Sequence, residues 1–197
     1  KLSPNNKLPV VVDREPMGGG EPFAVFESGA ILAYLADKTG QLWPEDPRQR
    51  HTVLQWLMFQ MAGLGPMHGQ AHHFIRYAPD RLAYPTDRYL GEARRLMGVM
   101  ECRLPQVQYL AGDYSIADIA CWPWIRAIRL ISLTLDDYPQ LRRWYETIEA
   151  RSAVQRGGRP RTACGRGHAP LRPQPRLPRA GDARALLGRH RLRAGRG

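Results

Sequence analysis

Residues 8–35 set the architecture of the chain. Leu8-Pro9-Val10-Val11-Val12-Asp13 comes first, then Arg14 to Glu21 with Gly18-Gly19-Gly20 inside it. Pro22-Phe23-Ala24-Val25-Phe26 follows, and then Glu27-Ser28-Gly29-Ala30-Ile31-Leu32-Ala33-Tyr34-Leu35. The first run is short and β-branched, and the run 22–26 is apolar and aromatic. A glycine-rich loop separates them, so the pair predicts a β-hairpin. Past Phe26 the period changes. Apolar residues at 31, 32 and 35 have helical spacing, and Gly40 supplies a stop.

From about Asp46 the sequence predicts helices throughout. Val53, Leu54, Trp56, Leu57 and Met61 mark one face of a long helix, which Gly63-Leu64-Gly65-Pro66 should kink or interrupt. A second helix is expected from about Asp87 to Leu104, with Leu90, Leu96, Met97 and Met100 inward. Ser115-Ile116-Ala117-Asp118 opens a third. The Ser115 hydroxyl can accept from the N–H of residue 118, and the Asp118 carboxylate from the N–H of 115. That is a capping box, with Tyr114 and Ile119 placed as a hydrophobic staple. Its role is folding rather than catalysis. A last helix is expected over Pro139 to Ala150.

Charge divides the chain again. Its 197 residues hold 29 Lys+Arg and 18 Asp+Glu, a formal +11. Residues 1–156 hold 18 basic and 17 acidic groups, a net of +1, which gives no reason to propose nucleic-acid binding. Residues 157–197 hold 11 Arg, no Lys and one acid, Asp182, a net of +10. With 8 Gly and 5 Pro as well, this tail is expected to be disordered. The mixture is also what a GC-rich gene yields when read out of frame. A genuine basic tail, binding nucleic acid or a membrane surface, and a folded segment are the other two readings. No apolar run approaches the ~18–20 residues of a membrane span, and no secretory core follows Lys1-Leu2-Ser3-Pro4. Cys102, Cys121 and Cys164 form no CxxC pattern, so the expected location is the reducing cytoplasm. Cys121, in the apolar Ile119-Ala120-Cys121-Trp122-Pro123-Trp124, is expected to be buried and inert.

Five stretches in order resemble the glutathione transferase superfamily: Ser3-Pro4-Asn5-Asn6-Lys7-Leu8-Pro9-Val10, Phe26-Glu27-Ser28-Gly29-Ala30-Ile31-Leu32, Gly63-Leu64-Gly65-Pro66-Met67, His72-His73-Phe74 and Tyr114-Ser115-Ile116-Ala117-Asp118-Ile119-Ala120-Cys121-Trp122-Pro123-Trp124. Within it they are most similar to the bacterial nu class of glutathione-dependent disulfide-bond reductases. The resemblance covers about residues 1–156. It implies an α+β fold: a truncated thioredoxin-like domain of β-hairpin plus helix (residues 1–42), an all-α C-terminal domain (43–156), and the disordered basic tail (157–197). Against the family template the chain begins just before the third strand. The first βαβ unit, which carries the groups facing the glutathione sulfur, is therefore expected to be absent, and no catalytic residue is assigned.

The resemblance also implies a site. Pro9 is cis in the family, leaving the backbone of Leu8 to pair with the cysteinyl backbone of glutathione. Glu27 accepts from the γ-glutamyl ammonium. Ser28, at a helix start, offers donors to the γ-glutamyl carboxylate. Arg88 reaches a glutathione carboxylate from the helical domain. His72, His73 and Phe74 line the acceptor pocket, with Tyr77. His68 and His72 share a helix face, but no further ligand completes a set, so no metal is expected. Glutathione is the cosubstrate, its thiolate attacking a disulfide or an electrophilic small molecule in a homodimeric enzyme. The alternative is a catalytically inactive fragment with a binding role only, poorly soluble or unable to bind glutathione when expressed alone.

Overall fold

The computed structural model describes residues 2–158. Two strands, β1 (Val10–Asp13) and β2 (Phe23–Phe26), pair antiparallel, with Val10 opposite Phe26 and Asp13 opposite Phe23. The ladder begins at Val10 because Pro9 has no N–H to contribute. Gly18, Gly19 and Gly20 in the connecting loop all have positive φ, which explains the glycine run. Helix α1 (Ser28–Thr39) follows, and Gly40 ends it in the left-handed conformation at φ 63°. The loop end of the hairpin is tied to α1 through Asp13. Its carboxylate accepts from the Tyr34 hydroxyl at 2.7 Å, the Glu15 N–H at 3.0 Å and the Lys38 ammonium. The Lys38 and Tyr34 bonds hold the Asp13 carboxyl below the usual carboxylate range.

The helical block starts at α2 (Pro47–Phe59), where the Asp46 side chain accepts from the Gln49 N–H at 2.9 Å. The expected interruption at Gly63–Pro66 takes the form of one π-helical turn, Gln60–Leu64, leading without a break into α3 (Gly65–Arg76). Pro66 cannot donate back along the helix, and the Gly65 N–H reaches the Gln60 carbonyl, one residue further than in an α-helix. The expected second helix is longer than its periodic part. Helix α4 (Ala83–Arg103) begins four residues before Asp87, because Pro85 lies in a first turn whose N–H groups have no partner to lose. A 3₁₀ turn (Leu104–Gln106), α5 (Ile116–Arg126), a second 3₁₀ turn (Ile128–Ile131) and α6 (Pro139–Glu149) come next. Helix α6 is not the last. Helix α7 (Ser152–Gly158) follows it, so Gly157 and Gly158 belong to a helix rather than to the tail. The rest of the expected tail, residues 159–197, lies outside the described residues.

Two cores hold this arrangement. The larger lies within the helical block and includes Leu64, Leu96, Met97, Met100, Leu110, Cys121, Ile125, Leu141, Trp144 and Ile148. The smaller joins α1 to the block through Ala36, Val53, Leu57, Ile116 and Ala117. Between α5 and α6 sits Asp118, fully buried. Its Oδ1 accepts from the Leu110 N–H (3.0 Å) and the Trp144 indole N–H (2.8 Å), and its Oδ2 from the Ser115 N–H (3.0 Å) and hydroxyl (3.2 Å). The capping box is therefore present, and it also anchors a loop and a core tryptophan. Glu101 of α4 does similar work for α6, accepting from the N–H groups of Gln140 (3.1 Å) and Leu141 (2.8 Å). Among the described residues no helix is long and apolar enough to cross a membrane, and no group of three His, Cys, Asp or Glu side chains could hold a metal ion.

Candidate functional site

The hairpin register decides which residues meet. Because Val10 pairs with Phe26, the chain entering β1 (Leu8-Pro9) and the chain leaving β2 (Glu27-Ser28) stand at the same end of the ladder. Four residues expected in the site are brought together this way. The Leu8–Pro9 peptide is cis, and Leu8 is 91% exposed. Glu27 occupies the N-cap position of α1 with φ 66° and ψ 125°, a left-handed backbone that a residue with a Cβ adopts at a cost. Its carbonyl accepts from the Ile31 N–H at 2.9 Å, so the backbone already turns into the helix at this point. The Glu27 carboxylate is exposed and accepts a bond of 3.1 Å from the Asn5 side chain.

Ser28 is the first helical residue, not the cap. Among the described residues no side chain caps α1, so the first-turn N–H groups face outward at the positive end of the helix dipole. Gly29, next in line, is buried. A Cβ there would lie 3.0–3.2 Å from the Met61 side chain, so the start of α1 rests directly on the π turn of the helical block. The hairpin end thus presents a carboxylate, a hydroxyl, free helical N–H groups and an exposed strand entry. Those groups suit a ligand with an ammonium, a carboxylate and a peptide backbone.

The remaining expected residues lie on α3 and α4. Arg88 is exposed and lines a depression of about 900 Å³ with Met67, Tyr84, Asp87 and Tyr89. It also helps lower the Glu92 carboxyl, after the stronger effect of the Arg95 ion pair at 2.7 Å. His72 is half-buried edge-on to Tyr77, with centroids 5.2 Å apart. His73 is exposed and edge-on to Phe74. Phe74 stacks on Tyr89 at 5.5 Å, which connects the His-His-Phe stretch to the Arg88 depression. No hydrogen bond joins this group to Glu27 or Ser28 among the described residues.

His68 shares the unbroken helix α3 with His72 but is 3% exposed. Its Nδ1 donates to the Leu64 carbonyl at 2.8 Å, since a carbonyl only accepts. Burial pushes its pKa down to about 4, with that hydrogen bond opposing the shift. Cys121 is fully buried, and burial pushes its thiol up, which suits a packing role. Asn5, which belongs to the first of the resembling stretches, meets Glu27 only through a contact across 22 residues.

Residues 64–152 match the family model described as "Glutathione S-transferase, C-terminal domain". The chain belongs to the glutathione transferase superfamily: a hairpin-and-helix unit precedes the family's helical domain. Within that superfamily it is 49% identical, over 155 residues, to the disulfide-bond oxidoreductase YfcG of Escherichia coli (strain K12), the match covering 78% of this chain and 72% of YfcG. A glutathione transferase of Burkholderia graminis, solved with two glutathione molecules per subunit, superposes with TM-score 0.74 and 46% identity, covering 79% of this chain and 68% of that one. A glutathione transferase of Pseudomonas putida, solved with one glutathione disulfide per subunit, gives TM-score 0.74 and 45% identity over 79% and 70%. The chain spans about 70% of the length of these relatives.

Proposed function

We propose that this chain carries a glutathione site at the open end of its hairpin and serves a glutathione-dependent disulfide reductase. The convergence of Leu8-Pro9 with Glu27-Ser28, on opposite sides of one strand register, carries the reading. The backbone of Leu8 would pair with the cysteinyl residue of glutathione. Glu27 would take the ammonium of the γ-glutamyl end, and Ser28 with the first turn of α1 its carboxylate. Arg88 would add a guanidinium to a glutathione carboxylate, and His72, His73 and Phe74 would border the acceptor.

Glutathione itself supplies the sulfur. Its thiolate attacks one sulfur of the acceptor disulfide, forms a mixed disulfide and expels the other sulfur as a thiolate. A second glutathione completes the reduction and leaves oxidised glutathione. No protein cysteine is required. Attack on an electrophilic carbon uses the same bound thiolate and is the other reaction to assay. A compartment that keeps glutathione reduced, such as the cytoplasm, and a homodimer are part of this reading.

Isothermal titration of glutathione into the whole chain, paired with glutathione-dependent reduction of a small aliphatic disulfide, tests it. Glu27→Gly separates binding from folding. Glycine accepts the φ 66° backbone without the Cβ penalty, so the melting temperature should hold or rise by a few degrees. Glutathione affinity should fall about ten-fold or more with loss of the charged partner. Equal affinity in Glu27→Gly and the wild type would refute the site. Binding without turnover would instead make the chain a glutathione-binding protein with no reductase activity of its own.

A further inference from the structure

Glu27 does not act alone at the hairpin end, and the group beside it has a defined origin. Ser3-Pro4-Asn5-Asn6 forms a β-turn closed by the Asn6 N–H and the Ser3 carbonyl at 3.2 Å. Pro4 fixes φ at the second position, where turns favour proline, and Asn6 takes a left-handed conformation at φ 56° that asparagine tolerates. Ser3 is buried at the base of the turn. Asn5 is thus held by a local, sequence-encoded turn, and its side chain meets Glu27 at 3.1 Å. A carboxylate only accepts, so the Asn5 amide nitrogen faces Glu27, and among the described residues the amide oxygen is left as a spare acceptor. Both side chains are exposed, so a ligand can reach them.

We propose that Asn5 is a positioning residue for recognition of the ligand's ammonium group, a step that rests on the glutathione site proposed above. By donating to Glu27 Oε1, Asn5 fixes one carboxylate oxygen and leaves Oε2 for the ammonium. The Asn5 amide oxygen offers that ammonium a second acceptor, and an ammonium has three protons to place. The pair therefore selects ligands with a free α-ammonium over those without one. An exposed Glu27 side chain that has to be ordered on binding would lose rotamer freedom. The Asn5 bond removes part of that loss beforehand.

The test compares two ligands on the full-length chain: glutathione, and glutaryl-cysteinylglycine, the same tripeptide lacking only the α-amino group. Asn5→Ala should weaken glutathione about five-fold and leave the affinity for glutaryl-cysteinylglycine unchanged. Unchanged glutathione affinity in the variant overturns the proposal. Equal losses for both ligands also overturn it, since that is what a merely structural turn residue would give. A wild type that binds both ligands equally removes the ammonium role of Glu27, and that of Asn5 with it. A wild type that binds neither overturns the glutathione site itself and is distinguishable from the other results.

Discussion

His68 shows how one residue couples burial to chemistry. Its ring lies in the core against the Leu64 carbonyl, and burial holds its pKa at about 4 against a usual 6.5. The folded protein therefore keeps it neutral, while the unfolded chain takes up a proton as pH falls through about 6.5. Between about pH 6.5 and 4 the unfolded state binds more protons. Stability contributed by this group is full above pH 6.5 and is lost progressively on the way to pH 4. Across that window the loss amounts to roughly 3 kcal/mol at most. Urea unfolding at a series of pH values should show this loss. In His68→Asn, where a side-chain amide can keep the bond to Leu64 without titrating, the slope should be shallower by one proton. An identical slope in the variant would assign the acid sensitivity to other groups.

At the scale of elements, the junction between α2 and α3 is the most tightly specified. Gln60, Gly65 and Trp124 interlock there. A Cβ at Gly65 would sit 2.5 Å from the Gln60 side-chain nitrogen, 3.2 Å from the Gln60 carbonyl and 3.2 Å from the Trp124 ring. The Gln60 side chain can swing away, but the carbonyl belongs to the π turn and the indole to the core packing. Gly65→Ala should destabilise the protein by about 1–3 kcal/mol, lowering the melting temperature by several degrees. Gly91→Ala, with nothing among the described residues within 4 Å of its Cβ position, should stabilise α4 slightly. A Gly65→Ala variant as stable as the wild type would mean the π turn relaxes freely.

The same junction marks the limit of what the sequence discloses. The hairpin, the first helix with its Gly40 stop and the Ser115–Asp118 box were legible because each is encoded within a few residues. The form of the interruption at Gly63–Pro66 was not. Glycine and proline signal that a helix ladder must change, but the packing of Trp124, some 60 residues away, accompanies the π solution. Helix α4 starts before its periodic face because Pro85 fits a first turn, and only the fold tells a first turn from a break. For the site, Glu27 and Ser28 stood out through resemblance. Asn5 needed the strand register and the turn together.

For the whole molecule, the decisive division is electrical. Residues 1–156 carry 18 basic and 17 acidic groups, whereas residues 157–197 carry 11 Arg against one acid. In the proposed site, a ligand of γ-glutamyl type would be read by local groups at the hairpin end. A polyanion responds to the summed field, and nearly all of that field comes from the tail's arginines. Duplex DNA should therefore bind the full chain weakly at 50 mM salt and release steeply towards 200 mM. A chain ending at Gly158 should not bind it, and its glutathione affinity should match that of the full chain. Fluorescence anisotropy with a random-sequence duplex, run beside the glutathione titration, measures both. DNA binding that survives removal of the tail would place a basic surface on the helical block, where balanced charge gives no reason for one. Glutathione affinity that falls with the tail would mean that the arginine-rich segment contributes to the ligand site.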